Sequence, residues 1–561
     1  MQDTRAYNEY DRYLSPLDVW AIAFGCTIGW GAFMMPGSTF LPVAGPLGTA
    51  IAMAISVLIV LVIGANFSYL MKHRPGTGGV YAYTKAAFGR DHAFLCAWFL
   101  CLSYLTVVFM NATSLFLVIR TVFGRSLQYG YYYYNIAGND IFMGEVGASI
   151  IALAGVGLLF INAKPLLQRL HTVLAVILLA GVLLIATVCL PHLRLDLLKE
   201  GFGSQGGSSA LGVFSIVMLA PWAFVGFEVI SLETAHFDFK IHKSRRLIVA
   251  SILLSGLVYI ALTLVSVCAA PDGYASWQAY IADLGNQTDS LAAVPTFFAA
   301  KSVMGTFGLL VIAVAALAAI LTGMIAAYRA TTRVLSTMAE DRILSKKFSE
   351  TTYSILFIMV VSIIISIFGR NALQCFMELT SFGAIVGFGY TSASAWKLAR
   401  ETGNRTVKAT GAVGTIASVA FGVVQLIPKL TAVETMGSDA FLLLSLWCLL
   451  GFLFYLRTVV RSDAVGTSGS STSSVVIFAL LLYSVLMWLG MRLSASESVQ
   501  AVRETLRYEG TLMFAVIFIA LCVMLYIQRL VQKKHEALTR ELSRATQAGP
   551  DEASSDEGTA G

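Results

Sequence analysis

Two short stretches of this chain carry residue types whose spacing could do chemistry. The first is Gly-Cys-Thr-Ile-Gly-Trp-Gly, residues 25–31; the second is Ala-Pro-Trp-Ala-Phe-Val-Gly-Phe-Glu, residues 220–228. Each interrupts a run that is otherwise apolar enough to cross a bilayer. In a helix interior Gly costs about 1 kcal/mol relative to Ala, and Pro about 3. A plain membrane anchor gains nothing from them. An unwound segment frees backbone N–H and C=O groups, which must then face protein or a water-filled cavity, because lipid cannot satisfy them. The helix resuming near Trp30–Ala32 offers free N–H groups and the positive end of its dipole, which suits a carboxylate. The outer half of the second stretch ends near Ala220–Trp222 with free carbonyls, which suit an ammonium. A carboxylate cradle facing an ammonium cradle is a site for a small zwitterion, the chemistry of an amino acid.

The elements that must position these stretches follow from composition. The chain has 561 residues, 57% hydrophobic and 12% charged, against about 25% charged in soluble domains. It is an integral membrane protein. Apolar runs of spanning length fall at about 18–43, 47–71, 93–119, 144–162, 166–190, 209–234, 247–269, 303–328, 353–369, 372–396, 409–427, 438–457, 473–491 and 510–530. With the N-terminus inside, 28 of the 38 Lys and Arg residues lie in inner connections and the two termini. By the positive-inside rule this predicts both termini in the cytoplasm of a multi-pass cell-membrane protein. The net charge of +6 is accounted for by that bias and implies no nucleic-acid partner. The two interrupted runs are the first and the sixth. Five spans per half place the breaks in register and, five being odd, invert the second half relative to the first. This is the signature of inverted-repeat carriers.

Little else in the chain suggests chemistry. The eight cysteines are scattered without CxxC spacing and read as small packing residues. No pair among the seven histidines has metal-ligand spacing, so neither metal nor cofactor is expected. Residues 1–17 form a polar cytoplasmic N-terminus without a cleavage-site pattern. The tail, 532–561, is polar and low-complexity and is expected to be disordered. The stretch QYGYYYYNIAGND (128–140) suits an interfacial aromatic belt or a vestibule. Arg329 and Arg333 are expected to anchor the eighth span at the inner face, with Glu233 interfacial, Glu378 capping or pairing with Arg370, and Asn111 bonding a neighbouring helix.

The motifs resemble those of the amino acid–polyamine–organocation superfamily. GCTIGWGAF is similar to its GxxIGxGxF pattern, RPGTGGVYAYTKAAFG (74–89) to its P-x-x-GG-x-Y loop, and APWAFVGFE to its sixth-span motif. RVLSTMAEDRILSKKF (333–348) and ELTSFGAIVGF (378–388) resemble the segments after the eighth span and within the tenth. The resemblance implies an all-α membrane protein with a five-plus-five inverted-repeat (LeuT-type) core over 18–400, discontinuous spans 1 and 6, and about four further helices over 401–531. It implies Thr27, Gly29, Trp30 and Gly31 around a substrate carboxylate, Trp222 and Val225 offering carbonyls to the amine, the Trp222 ring as a gate, and Cys101, Tyr104 and Thr106 as a third-span wall.

Several positions depart from the pattern. Trp30 replaces a small residue, Leu178 stands where some proton-coupled members carry Lys, Tyr69 replaces a Glu, and Thr322-Gly323 replaces paired hydroxyls. A carboxylate inside a span costs about 2.5–3.5 kcal/mol on insertion scales, so Glu228 asks for a reason. Two readings stay open: a group that titrates to couple transport to protons, or a charged cap on unwound amides. The favoured class is a secondary active transporter of an amino acid; a polyamine or organic-amine carrier and a transporter-like sensor are the alternatives. With no converging His, Asp and Ser or Cys, an enzyme is not expected.

Overall fold

In the computed structural model, residues 12–124, 133–136, 139–193, 209–287, 289–369, 373–428, 430–431, 435–461, 472–495, 510–511, 513–530, 532–533 and 536 are described. Ten of their helices are long and apolar enough to cross a membrane, and each of the fourteen apolar runs contains helix among its described residues. The chain forms two compact units, residues 1–340 with 345–440, and residues 341–344 with 441–561.

The first unit begins with α1 (Pro16–Thr27). Ser15 caps it: its hydroxyl accepts from the Asp18 N–H while the Asp18 carboxylate accepts from the Ser15 N–H, a reciprocal box that satisfies two end groups at once. The helix stops at Ile28, which is extended (φ −98°, ψ 103°), and resumes as α2 (Gly31–Met35). A π-helical turn over Pro36–Phe40 leads into α3 (Leu41–His73), kinked at Gly45. A short α4 (Gly79–Phe88) precedes α5 (Arg90–Phe123). An antiparallel hairpin of β1 (Tyr133–Ile136) and β2 (Asn139–Phe142) forms in the stretch read as an aromatic belt or a vestibule; residues 128–132 and 137–138 lie outside the described residues.

Next come α6 (Met143–Asn162) and α7 (Lys164–Cys189). On α7, Leu166, Leu170, Val173, Ile177 and Leu184 are exposed, while Leu167, His171, Ala175, Leu178, Val182 and Ile185 are buried. A helix that is apolar on both faces, one packed and one bare, fits a bundle surrounded by lipid. The sixth run is split into α8 (Ser209–Val217), α9 (Ala220–Phe224) and a 3₁₀ stretch (Phe227–Leu232). After α10 (Ser244–Val265), the connection carrying α11 (Trp277–Ala282) is tied by Tyr274, whose hydroxyl donates to Asp283 and holds that carboxyl below its ordinary range. α12 (Pro295–Glu340) kinks at Gly305, so the eighth span starts near its expected place after a separate short helix. α13 (Thr351–Ser366), α14 (Leu373–Glu401) and α15 (Arg405–Leu426) complete the unit.

The core of this unit is α5, packed between α12 and α14. Small residues let the backbones approach, the usual device of membrane helices. A Cβ on Gly383 of α14 would sit 2.3 Å from the Phe99 carbonyl, and the Ser103 hydroxyl donates to the Thr380 carbonyl at 2.8 Å. The Glu378 carboxylate accepts from the Gly437 N–H at 2.8 Å and the Gln374 amide at 2.8 Å; Arg370 lies outside the described residues. The second unit holds most of α16 (Ser438–Arg461), with α17 (Thr472–Ala495) and α18 (Met513–Leu530). Within it, Phe441 packs edge-on against Tyr483 and Phe452 against Phe478.

Candidate functional site

The two interrupted spans meet at their breaks. Gly226 adopts φ +121°, a conformation few side-chain-bearing residues adopt, and a Cβ there would lie 2.6 Å from the Cys26 carbonyl carbon and 2.8 Å from the Thr27 nitrogen. Gly31 is bare for another reason: its Cβ would sit 2.2 Å from the Trp222 ring. That ring meets Trp30 edge-on, with centroids 6.3 Å apart at 65°. Glycines thus occupy the two points where span 1 touches span 6.

The hydrogen bonds show which polar groups remain open. Ile28 N–H donates back to Phe24, and the Thr27 hydroxyl donates to the Ala23 carbonyl at 2.8 Å, so Thr27 spends its side chain on its own helix. Among the described residues the N–H groups of Gly29 and Trp30 have no backbone partner, nor do the carbonyls of Trp222 and Val225. Val225 is extended (φ −57°, ψ 134°). The sixth span is thus interrupted twice, at Met218–Leu219, just before the Ala220–Trp222 inferred from Pro221, and again at Val225–Gly226. Proline is tolerated in the first turn of a helix, and Pro221 begins the short α9 instead of ending a longer one.

Glu228 follows directly, 1% exposed. Its Oε2 accepts from the Gly226 N–H at 2.8 Å and its Oε1 from the Tyr104 hydroxyl at 3.0 Å. Among the described residues no ion pair involves Glu228. The carboxylate is thus held by two neutral donors, one of them an amide freed by the break.

A cavity of about 30 Å³ lies between the breaks, lined by Cys26, Thr27, Gly29, Trp30, Gly31, Val107, Met110, Asn111, Trp222, Val225 and Tyr259. That is room for a water or two, so Trp222 or its neighbours must move before an amino acid fits. Of the expected residues it gathers Thr27, Gly29, Trp30, Gly31, Trp222 and Val225, with Glu228 just behind. It does not gather Cys101, Tyr104 or Thr106. Cys101 is buried, Tyr104 serves Glu228, and the Thr106 hydroxyl pairs with Thr380 at 2.7 Å. The α5 wall is one turn further along, at Val107, Met110 and Asn111. Asn111 is the residue that motif reasoning placed elsewhere. Its Nδ2 donates to the Val107 carbonyl at 2.9 Å, while its Oδ1 is buried without a partner and would lie 3.1 Å from a Cβ on Gly29. The signal available was its place three and seven residues beyond Val108 and Tyr104, on a helix with few other amides.

The far end of the sixth span is clamped. Thr234 donates to the Gly76 carbonyl and accepts from the Gly76 N–H, so the Gly-rich loop of residues 74–79 holds it. The Tyr13 and Leu14 N–H groups both donate to the His236 carbonyl. Arg333 grips Glu233 through Nε at 3.0 Å and Nη2 at 3.2 Å, which makes Glu233 a buried partner and not an interfacial charge.

The profile described as amino acid permease matches residues 14–460. The chain belongs to the amino acid permease family. The Branched-chain amino acid permease BcaP of Bacillus subtilis is 24% identical over 270 residues, 45% of this chain, and this chain spans about half (54%) of that relative's length. BcaP of Lactococcus lactis is 22% identical over 423 residues, 72% of this chain and 86% of its own length. An arginine/ornithine antiporter of Pseudomonas aeruginosa is 23% identical over 224 residues, covering 39% of this chain and 44% of its own. With family and helices together, this is a multi-pass membrane protein of the amino acid permease family.

Proposed function

We propose that this permease is a secondary active carrier that moves an apolar amino acid across the cell membrane by alternating access around the two breaks. The observation that carries the reading is the pairing of open N–H groups at Gly29 and Trp30 with open carbonyls at Trp222 and Val225 across one small cavity. The first set takes the carboxylate, aided by the positive end of α2; the second takes the ammonium. Trp222, packed on Gly31, is the gate. The side chain of the substrate meets Val107, Met110 and Tyr259, surfaces that reward apolar groups at about 25 cal/mol per Å² buried. The names of the branched-chain relatives point the same way. A polyamine carrier is less favoured, because no carboxylate lines the cavity.

Glu228 is the group through which a proton would couple. Its donors are an amide at the hinge point and a hydroxyl on α5, so any movement at the break changes what its carboxylate can bond. The test is uptake into proteoliposomes across a panel of amino acids and amines, with proton and sodium gradients imposed separately. Accumulation of leucine, isoleucine or valine driven by an imposed proton gradient is the expected result. Binding without counterflow of labelled substrate would make the protein a sensor and overturn the reading.

A further inference from the structure

The breaks leave unexplained a second cavity of about 630 Å³, whose walls include Tyr13, Phe160, Gln168, Arg329 and Arg333. It lies further along α12: Thr322 is close to Gly25 of α1, and Arg329, seven residues on, is about 10 Å further along the axis. On α7, His171 contacts the same Gly25, and Gln168, one turn away, accepts from Arg329 Nη2. The volume lies within the usual range for small-molecule sites, about 300–1,000 Å³.

Its charges do not balance internally. Four cations line it, Lys164, Arg169, Arg329 and Arg333, against two carboxylates, Asp18 and Glu233. Both carboxylates are already engaged. Asp18 accepts from the Ser15 N–H and hydroxyl, from Thr172 at 2.6 Å and from Gln168 at 3.3 Å. Glu233 is held two-toothed by Arg333, with His236 at 3.8 Å. Lys164 and Arg169 sit at the exposed rim. Arg329 is different: it is 8% exposed, and its Nε and Nη1 have no partner. A buried charged donor without an acceptor is among the costlier features a protein can carry, and a guanidinium cannot shed its charge to escape.

We propose that this cavity holds a carboxylate-binding site, distinct from the breaks, anchored by the Arg329 guanidinium. Nε–H and Nη1–H lie on different edges of the guanidinium, each beside one of the two Nη2–H groups; Gln168 takes only one of those, so one edge is left with two donors that match the two oxygens of a carboxylate. One unpaired cation at depth neutralises a monoanion, whereas a phosphate dianion would need a second cation beside it, and Lys164 and Arg169 are at the rim. The carboxylate comes either from the transported substrate on its way past α7 or from a free organic acid on that side of the membrane. The site does not depend on the transport reading, since it would bind even in a protein that carried nothing.

The test uses the full chain in lipid nanodiscs and saturation-transfer NMR with 4-methylpentanoate, leucine, isopentylamine and inorganic phosphate. Saturable binding of 4-methylpentanoate is expected, with affinity falling at least about tenfold in Arg329→Gln, the loss of one charged hydrogen-bonded pair. Arg329→Lys keeps the buried charge if the glutamine variant does not fold; lacking the fork, it should bind about three- to tenfold more weakly. Leucine binding that persists in Gly226→Ala and depends on Arg329 assigns the site to the substrate; 4-methylpentanoate binding alone there assigns it to a free acid. The proposal is overturned if a folded Arg329 variant binds 4-methylpentanoate unchanged, or if isopentylamine or phosphate binds better in the wild type.

Discussion

The breaks in spans 1 and 6 use the same residue type but are backed by different things. At the first, the space a Gly31 side chain would fill is taken by the Trp222 ring. At the second, the space beside Gly226 is taken by the main chain of Cys26 and Thr27. A ring can turn about its rotatable bonds; a packed backbone can only shift as a whole. The polar groups differ in the same sense. The sixth break satisfies the Gly226 N–H with its own Glu228, whereas the first leaves Gly29 and Trp30 open. The sixth break is thus the pinned hinge, and the first break with Trp222 is the mobile, ligand-facing part.

If that distinction holds, Gly226→Ala has the largest effect. An alanine there combines the strain of a positive φ, about 1–3 kcal/mol, with overpacking of similar size against backbone that cannot yield. Uptake should fall more than about a hundredfold, with a lower melting temperature of the purified protein. Near-normal uptake would show that the hinge is not pinned. Gly31→Ala comes next. Its methyl meets only the Trp222 ring, which can rotate away, so the fold should survive while substrate affinity drops about tenfold, the lower part of the overpacking range. Loss of folded protein in this variant would erase the contrast between the two breaks.

Much of this was legible in the sequence, because Gly and Pro are costly inside apolar helices and their placement marks where backbone is needed bare. That the first and the sixth span are both interrupted follows from that logic, while the place of Trp222 beside the first break came only from the family resemblance. Height along a helix is harder to read. Tyr104, Val107 and Asn111 lie on one face of α5, so the pattern specifies the face but not which turn reaches the cavity, and the expected wall fell one turn short. Pro221 illustrates a second limit, since the same residue ends one helix or begins another. Arg329 illustrates a third. An arginine near the end of a span reads as an interfacial anchor, and only the packing of α1, α7 and α12 around it reveals that its guanidinium is enclosed.

Glu228→Gln probes the hinge chemically. The amide keeps the shape and can still accept one bond, but it replaces a charged hydrogen bond by a neutral one, a difference of about 1 kcal/mol. Uptake at its optimal pH should fall about fivefold and lose its dependence on an imposed proton gradient. An unaltered pH profile in proteoliposomes would leave Glu228 as a cap on unwound amides and move coupling elsewhere.

A change of similar size concerns Asn111, and it asks whether the first break only donates. Its Oδ1 is a buried acceptor without a partner beside Gly29. If the amine of the substrate reaches it, Asn111→Ala removes a single neutral hydrogen bond worth about 0.5–1.5 kcal/mol, a loss of about threefold to tenfold in leucine affinity. In an Arg329→Gln background, residual inhibition by 4-methylpentanoate, which has the carboxylate but no amine, should be unaffected, because the Gly29 and Trp30 N–H groups at the break are untouched. Equal losses for both ligands would mean that Asn111 only shapes the first break, and the ammonium would then rest on the carbonyls of span 6 alone.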